Sequence, residues 1–389
     1  MRIVYVTSAL PFPPRNGGAV KTHATLSGLI KERHDVHLFC FGPKNSKRSI
    51  EELVDLGVQS VYCQPRELAY EKALFVHGTF FLRSLVRGSP YTLEKFFSKS
   101  LKRAVDAFCD RTKPDVVWID HFNLIPYVPD FYDRKTVLEE HNIQSVLFAR
   151  LAQSDRNPLR RYVYSLESYK WRRFEKEHLA LFSVIAAISD PDKRYLEKHY
   201  GLSTVLPFGT AVSISKKRAR RKKQFLFVGR LTWQPNTLGL NWFLEHVWPE
   251  VRQRFPDHRL VVVGDYVRKP KPVSGVTFVG QAPAIEPFFL ESQAFVCPIF
   301  AGSGIRIKIL QALSYGLPVV STRLGAEGLP VEHGKSILLA DTARAFGEAI
   351  EHLVTNKKLQ AQLARNGRTE INTHYSPSVF QKRIHEILK

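Results

Sequence analysis

The densest chemical signal in the chain is PIFAGSGIRIKILQALSYGLPVVSTRLGAEGL at 298–329. A strand ends at Pro298, a loop with Gly302 and Gly304 follows, and Arg306 and Lys308 enter on the first turn of a helix that stops at Gly316. Small residues let backbone N–H groups reach a ligand, a helix N-terminus adds partial positive charge, and two cations complete a site for a polyanion. A weaker signal stands in PFPPRNGGAVKTHATLSGLI, where Gly17 and Gly18 precede an apparent helix and could turn backbone N–H groups to a phosphate or a sugar hydroxyl.

The elements that must position these loops are short apolar runs. RIVYV (2–6), VHLFC (36–40), VQSVYC (58–63), VVWI (116–119), TVL (136–138) and SVIAAIS (183–189) alternate with helix-length connections, the pattern of parallel strands buried on both faces. The rhythm restarts with QFLFVG (224–229), RLVVVG (259–264), VTFVG (276–280), AFVCP (294–298), PVVST (318–322) and SILLA (336–340). Three of these end in Gly229, Gly264 and Gly280, which lets backbone or ligand approach the carboxyl edge of the sheet. The expected fold is α/β, two Rossmann-like doubly wound domains facing across a cleft, with the ligand at the carboxyl ends of the strands. The expected division is 1–207, a basic linker at 208–223, 224–374, and a C-terminal helix at 375–389 that crosses back to the first domain.

Composition agrees with two globular domains: 389 residues, 44% hydrophobic and 24% charged. The apolar opening strand lacks a basic n-region and a cleavage site, and LALFSVIAAI (179–188) is too short to span a bilayer, so a cytoplasmic protein is expected. Cys40, Cys63, Cys109 and Cys297 lie far apart and read as reduced core residues. The net charge of +21 calls for an anionic partner. The run KKRARRKK (216–223) lacks interleaved aromatics and reads as a solvated linker, so no specific nucleic acid is expected. The segments 78–103 and 156–178 interleave Arg and Lys with Phe, Tyr, Trp and Leu, which suits either helices lying on an anionic membrane or helices packed on the core.

Jointly, the NGG loop, EEHNIQS (139–145), VGRLTWQPN (228–236), GSGIRIKILQA, GLPVVST and GAEGL resemble the retaining glycosyltransferases of the glycosyltransferase B fold, bacterial family 4-like, in the branch that makes exopolysaccharide and other surface glycans. The resemblance implies that Arg230 grips the donor diphosphate. The second cation usual a few residues later is replaced by QPN, so Lys308 or Arg306 must supply that charge. Two glutamates eight positions apart, contacting donor sugar and ribose, are replaced by Ser303 and Gln311. It also implies a histidine touching the donor sugar: His121 in VVWIDHFN fits by placement, and His141 in LEEHN is a second candidate, with a structural histidine as the alternative for each.

The implied reaction is metal-independent transfer of a sugar from a nucleoside diphosphate to an acceptor hydroxyl with retention of configuration, the leaving diphosphate stabilised by Arg230, Lys308, Arg306 and loop N–H groups. No cofactor is expected, and no D-x-D triplet or His/Asp cluster stands out to hold a divalent ion. The expected partners are a nucleotide-sugar donor, a glycan or lipid-linked acceptor, and an anionic membrane surface. A sugar-nucleotide epimerase, a phosphorylase of the same fold, or a non-catalytic polyanion-binding protein are the alternatives.

Overall fold

The apolar runs form strands in two separate parallel sheets. The computed structural model describes residues 1–14, 16–66, 73–130, 133–217, 219–266 and 270–389. The chain divides into two units, the first comprising Met1–Thr210 with Phe380–Lys389 and the second Ala211–Val379.

In the first unit, β1 (Arg2–Thr7), β2 (Asp35–Gly42), β3 (Ser60–Pro65), β4 (Val116–Asp120), β5 (Lys135–Glu140), β6 (Val184–Ala187) and β7 (Val205–Pro207) lie in the order β3-β2-β1-β4-β5-β6-β7. Every neighbouring pair is parallel. The central strands are apolar along their length because helices cover both faces, and Ile3 to Val6 and Val116 to Ile119 are buried. Only β7 was not foreseen, since three residues are too few to show a pattern.

The second sheet repeats the plan with β8 (Gln224–Val228), β9 (Arg259–Val263), β10 (Val276–Gly280), β11 (Ala294–Cys297), β12 (Val319–Ser321) and β13 (Leu338–Leu339) in the order β10-β9-β8-β11-β12-β13, again all parallel. In each sheet the winding reverses beside the first strand, between β1 and β4 and between β8 and β11. Ligands of such sheets sit in the crevice outside the carboxyl ends of those two strands.

The last helix, Pro377–Leu388, belongs to the first unit from Phe380 on. The Phe380 ring packs 4.7 Å from Phe208, and Gln381 Nε2 donates to the Gly28 carbonyl at 2.9 Å. A Cβ on Gly28 would lie 2.1 Å from Ile384 Cδ1, so only glycine admits this packing.

In the basic stretch Lys216, Lys217 and Arg220 to Lys223 are exposed, as expected of a solvated segment, yet it is tied down. Its Arg221 guanidinium donates to the carbonyls of Phe289, Ser292, Tyr315 and Gly316, and Lys222 N donates to Glu291 O, which fixes it to the second unit. Cys40, Cys109 and Cys297 are buried, but Cys63 is half-buried on the edge strand opposite Cys40; all four are free thiols. Among the described residues no helix is long and apolar enough to cross a membrane.

Candidate functional site

At the switch point of the second sheet, β11 ends at Cys297 and the chain runs through Gly302 and Gly304 into the helix Ile307–Ser314. Both glycines take positive φ, +121° and +72°. A Cβ on Gly302 would stand 2.7 Å from Arg306 Nη2, so the loop closes over the guanidinium only because the side chain is missing. Arg306 is the N-cap residue rather than part of the first turn, and it is buried. Its Nη1 donates to the carbonyls of Ser303 and Gly304, each at 2.7 Å, so it shapes the loop while adding positive charge beneath it.

Lys308 and Gln311 are the partly exposed residues of that helix between buried Ile307, Ile309, Leu310, Ala312 and Leu313, and their three-residue spacing puts them on one face. Lys308 Nζ donates to Asn236 Oδ1 at 2.6 Å and lies 4.9 Å from the centre of the Phe227 ring. Asn236 in turn donates to the Arg230 carbonyl at 2.8 Å. The Lys308 charge therefore arrives at the QPN stretch, the first turn of the helix Gln234–His246 into which the loop after β8 leads. Burial of the ammonium pushes its pKa down to about 8, with a smaller push in the same direction from the Arg306 charge.

Arg230 extends into solvent from that same loop, with Nε 3.3 Å from Asp265 Oδ2. Gly229 and Gly264 let the two strand ends meet: a Cβ on Gly264, at φ +151°, would lie 2.0 Å from Gly229 O. Ser303 is buried in the loop, while the Gln311 amide makes no hydrogen bond among the described residues.

At the switch point of the first sheet the arrangement is different. Gly17 and Gly18 are the first two residues of the helix Gly17–Lys31, whose N-cap Asn16 accepts from Ala19 N at 3.0 Å. This helix turns Lys21, Thr22 and Thr25 onto the sheet edge. Asp120 Oδ2 accepts from Thr7 at 2.6 Å and from Thr22 at 2.7 Å, while its Oδ1 meets His141 Nε2. Glu139 accepts from Lys21, from Thr25 and Tyr5 at 3.0 Å, and from Trp118 Nε1 at 2.8 Å.

Burial alone would raise the Asp120 carboxyl and lower the His141 imidazole, but their mutual attraction reverses both shifts. Glu139 is likewise held ionised against burial by the Lys21 charge. His121 lies with its ring centre 3.7 Å from that of His141, at φ +91°, a strained backbone for a side chain other than glycine. Burial and the His141 charge push His121 down to about 3, so it is a neutral imidazole at physiological pH.

Sequence reasoning set His121 against His141 as rival candidates; the fold stacks them. It also saw no His/Asp cluster, and here a correction is needed, since ligand atoms of Asp120, His121 and His141 lie within 4.8 Å of one another. Their segments are separate in sequence, which hid the cluster. These groups are engaged with one another: the Asp120 oxygens accept three hydrogen bonds, and the Asp120 charge raises the His141 pKa against burial. Lys21, Glu139 and Asn236 were missed altogether. A lysine beside two threonines on an apolar helix, and two carboxylates closing the apolar strand TVLEE, were the available signals.

Residues 222–356 match the family model for glycosyl transferases group 1. Over 99% of both chains, this one is 24% identical to an uncharacterized 44.6 kDa protein in the cps region of Klebsiella pneumoniae. Among solved structures, a point mutant of Staphylococcus aureus TarM, in complex with fondaparinux, alpha-GlcNAc-glycerol and UDP, superposes with a TM-score of 0.72 at 9% identity, covering 100% of this chain and 99% of that one. Anabaena Alr3699/HepE, in complex with UDP and glucose, gives 0.65 at 13% identity over 100% and 99%. Two doubly wound parallel sheets wound in the same order, with these structural neighbours, give this chain the glycosyltransferase B fold, and its residues 222–356 are similar to glycosyl transferases group 1.

Proposed function

We propose that this chain transfers a sugar from a nucleoside diphosphate to an acceptor hydroxyl with retention of configuration, in the assembly of a surface glycan. One observation carries the reading: the ammonium of Lys308 is held by Asn236, whose amide also holds the Arg230 carbonyl, and among the described residues no carboxylate pairs with that ammonium. Such a charge suits a group that becomes more negative as the reaction proceeds.

In the proposed reaction the acceptor oxygen bonds to the anomeric carbon while the bond from that carbon to the diphosphate breaks. The departing phosphate oxygen takes the acceptor proton, so charge and protons balance without a carboxylate nucleophile. Lys308, Arg230 and the loop N–H groups stabilise the leaving diphosphate, and Arg306 positions the loop. Gln311, on the same helix face as Lys308, is assigned to ribose. The neutral His121 imidazole at the edge of the first sheet is assigned to the sugar and acceptor side, where it can donate or accept a hydrogen bond without adding charge. The surface-glycan setting is supported by the relative in the cps region.

The test is thermal shift against UDP, GDP, ADP and dTDP sugars, followed by product analysis with the donor that stabilises the chain, because a ligand bound to the folded state raises Tm by mass action. One nucleotide class is expected to stabilise, and the product is expected to keep the donor's anomeric configuration in the presence of chelator. No stabilisation by any nucleotide, or activity that vanishes with chelator and returns with Mg²⁺, would overturn the reading or its metal-independent part.

A further inference from the structure

Two helices of the first unit carry a surface outside the residues assigned to sugar transfer. Half of the large hydrophobic side chains exposed among the described residues lie on them: Leu82, Leu85 and Val86 on Ala73–Arg87, and Leu159, Tyr162 and Tyr169 on Pro158–His178. Val86 is 84% exposed, Leu159 71% and Tyr162 69%, values that no packing interaction explains. The helices are neighbours, since Lys170 Nζ donates to Ser84 Oγ at 2.8 Å and pairs with Glu167 at 3.1 Å. Leu159, Tyr162 and Tyr169 follow at three and seven residues, which places them on one helix face.

The charges around these side chains are almost all of one sign. Arg160, Arg161, Arg172, Arg173 and Lys176 are exposed on the second helix, and Arg83 and Arg87 on the first. The carboxylates Glu167 and Glu175 are buried, Glu94 pairs with Arg87, and the exposed Glu177 is held by Arg173 at 2.9 Å. An apolar strip fringed by arginines and carrying tyrosines matches the boundary of an anionic bilayer, where rings and aliphatic chains enter the acyl edge and guanidinium groups meet phosphates. A second copy of the chain would bring the same basic fringe against itself.

We propose that Leu82–Val86 and Leu159–Tyr169 form a docking surface for an anionic lipid bilayer. It holds the chain at a membrane by shallow insertion and charge rather than by a spanning helix.

The test is flotation of the full chain with phosphatidylcholine vesicles and with mixed phosphatidylglycerol–phosphatidylcholine vesicles, alongside sedimentation velocity. Binding is expected to the anionic vesicles alone and to weaken as salt screens the charges. Arg160→Glu with Arg172→Glu is expected to lower partition at least about tenfold, since each basic residue near an anionic surface contributes roughly fivefold. Val86→Asp with Leu159→Asp is expected to abolish flotation. Lys357→Glu with Lys358→Glu, exposed on the second unit, makes the same change in net charge and is expected to alter partition by less than about twofold. Because all these side chains are exposed, retained circular dichroism and the same nucleotide-induced thermal shift separate loss of docking from loss of fold or of donor binding. Equal binding to neutral and anionic vesicles, binding to neither, an equal loss in the control variant, or a dimer that Val86→Asp with Leu159→Asp dissociates would each overturn the proposal.

Discussion

At the edge of the first sheet, Asp120 and Glu139 face Lys21 and the His141 imidazolium, and the four charges cancel in a buried network. At the edge of the second, Lys308 Nζ donates to an amide oxygen, Arg306 to backbone carbonyls, and Arg230 pairs with Asp265. Two sheets of the same winding thus use their switch points differently. The first pairs its charged groups with one another, which fixes the loop that presents His121, whereas at the second the described residues set a carboxylate beside Arg230 but none beside Lys308. Under the proposed function, a charged cluster at a sheet edge need not be the part that binds: the balanced one holds shape, and the unbalanced one takes the anion.

The largest effects should fall on stability at the first edge. Lys21→Met leaves Glu139 buried without its cation and is expected to cost about 3–5 kcal/mol, the usual result of breaking one side of a buried ion pair. Adding Glu139→Gln should recover part of that loss. Lys308→Met removes a buried charge with no ionic partner, so urea unfolding should show no loss. A Lys308→Met variant as destabilised as Lys21→Met would break the comparison.

At the second edge the effect should fall on turnover. Lys308→Ala and Arg230→Ala are each expected to slow transfer on the order of 10² to 10³-fold if each stabilises the leaving diphosphate as an oxyanion-type donor does. His121→Ala should lower transfer while affinity for free nucleotide survives. Wild-type turnover in both cation variants, or lost nucleotide affinity in the histidine variant, would reverse the assignment of the two edges.

Next in size is a pH effect with opposite signs for rate and stability. Lys308 loses its proton near pH 8 in the folded chain, below the ordinary lysine range, because burial disfavours the charged form. Above that pH kcat/KM should fall, approaching about tenfold per unit. Folding stability from this group should rise over the same interval, because the unfolded chain still binds the proton that the folded chain has released. A kcat/KM profile and urea unfolding of wild type and Lys308→Met test this. If the variant keeps both slopes, another group is responsible.

The second edge was the more legible in sequence because it is nearly contiguous: Gly302 to Gln311 lie within one loop and one helix, and Arg230 stands directly after the apolar run of β8. The first edge is assembled from Thr7, Lys21, Asp120, Glu139 and His141, brought together only by the strand order. Nothing local in the sequence says that β1 lies between β2 and β4. Strand existence could be read from apolar runs, except for β7. The pinning of the basic stretch by Arg221 could not, because an arginine that caps backbone carbonyls looks the same in sequence as one in solvent.

The smallest effect, and the sharpest for the proposed donor pose, is at Gln311. It shares a helix face with Lys308, so a diphosphate at Lys308 brings its ribose within reach of this amide. A glutamate there could accept from two ribose hydroxyls in charge-assisted bonds, while a glutamine offers one acceptor oxygen and a donor NH₂ in neutral bonds of about half the strength. Gln311→Ala should therefore weaken nucleotide binding by about 0.5–1.5 kcal/mol, the net value of a neutral hydrogen bond. Gln311→Glu should hold binding or tighten it slightly, because Lys308 one turn earlier favours the new carboxylate. Calorimetry with the matching nucleoside diphosphate decides the matter, since both substitutions are at a half-exposed position that the core can tolerate. Unchanged binding in Gln311→Ala together with lost binding in Gln311→Glu would mean that the ribose lies elsewhere. The free charge of the second edge would then serve a differently oriented anion.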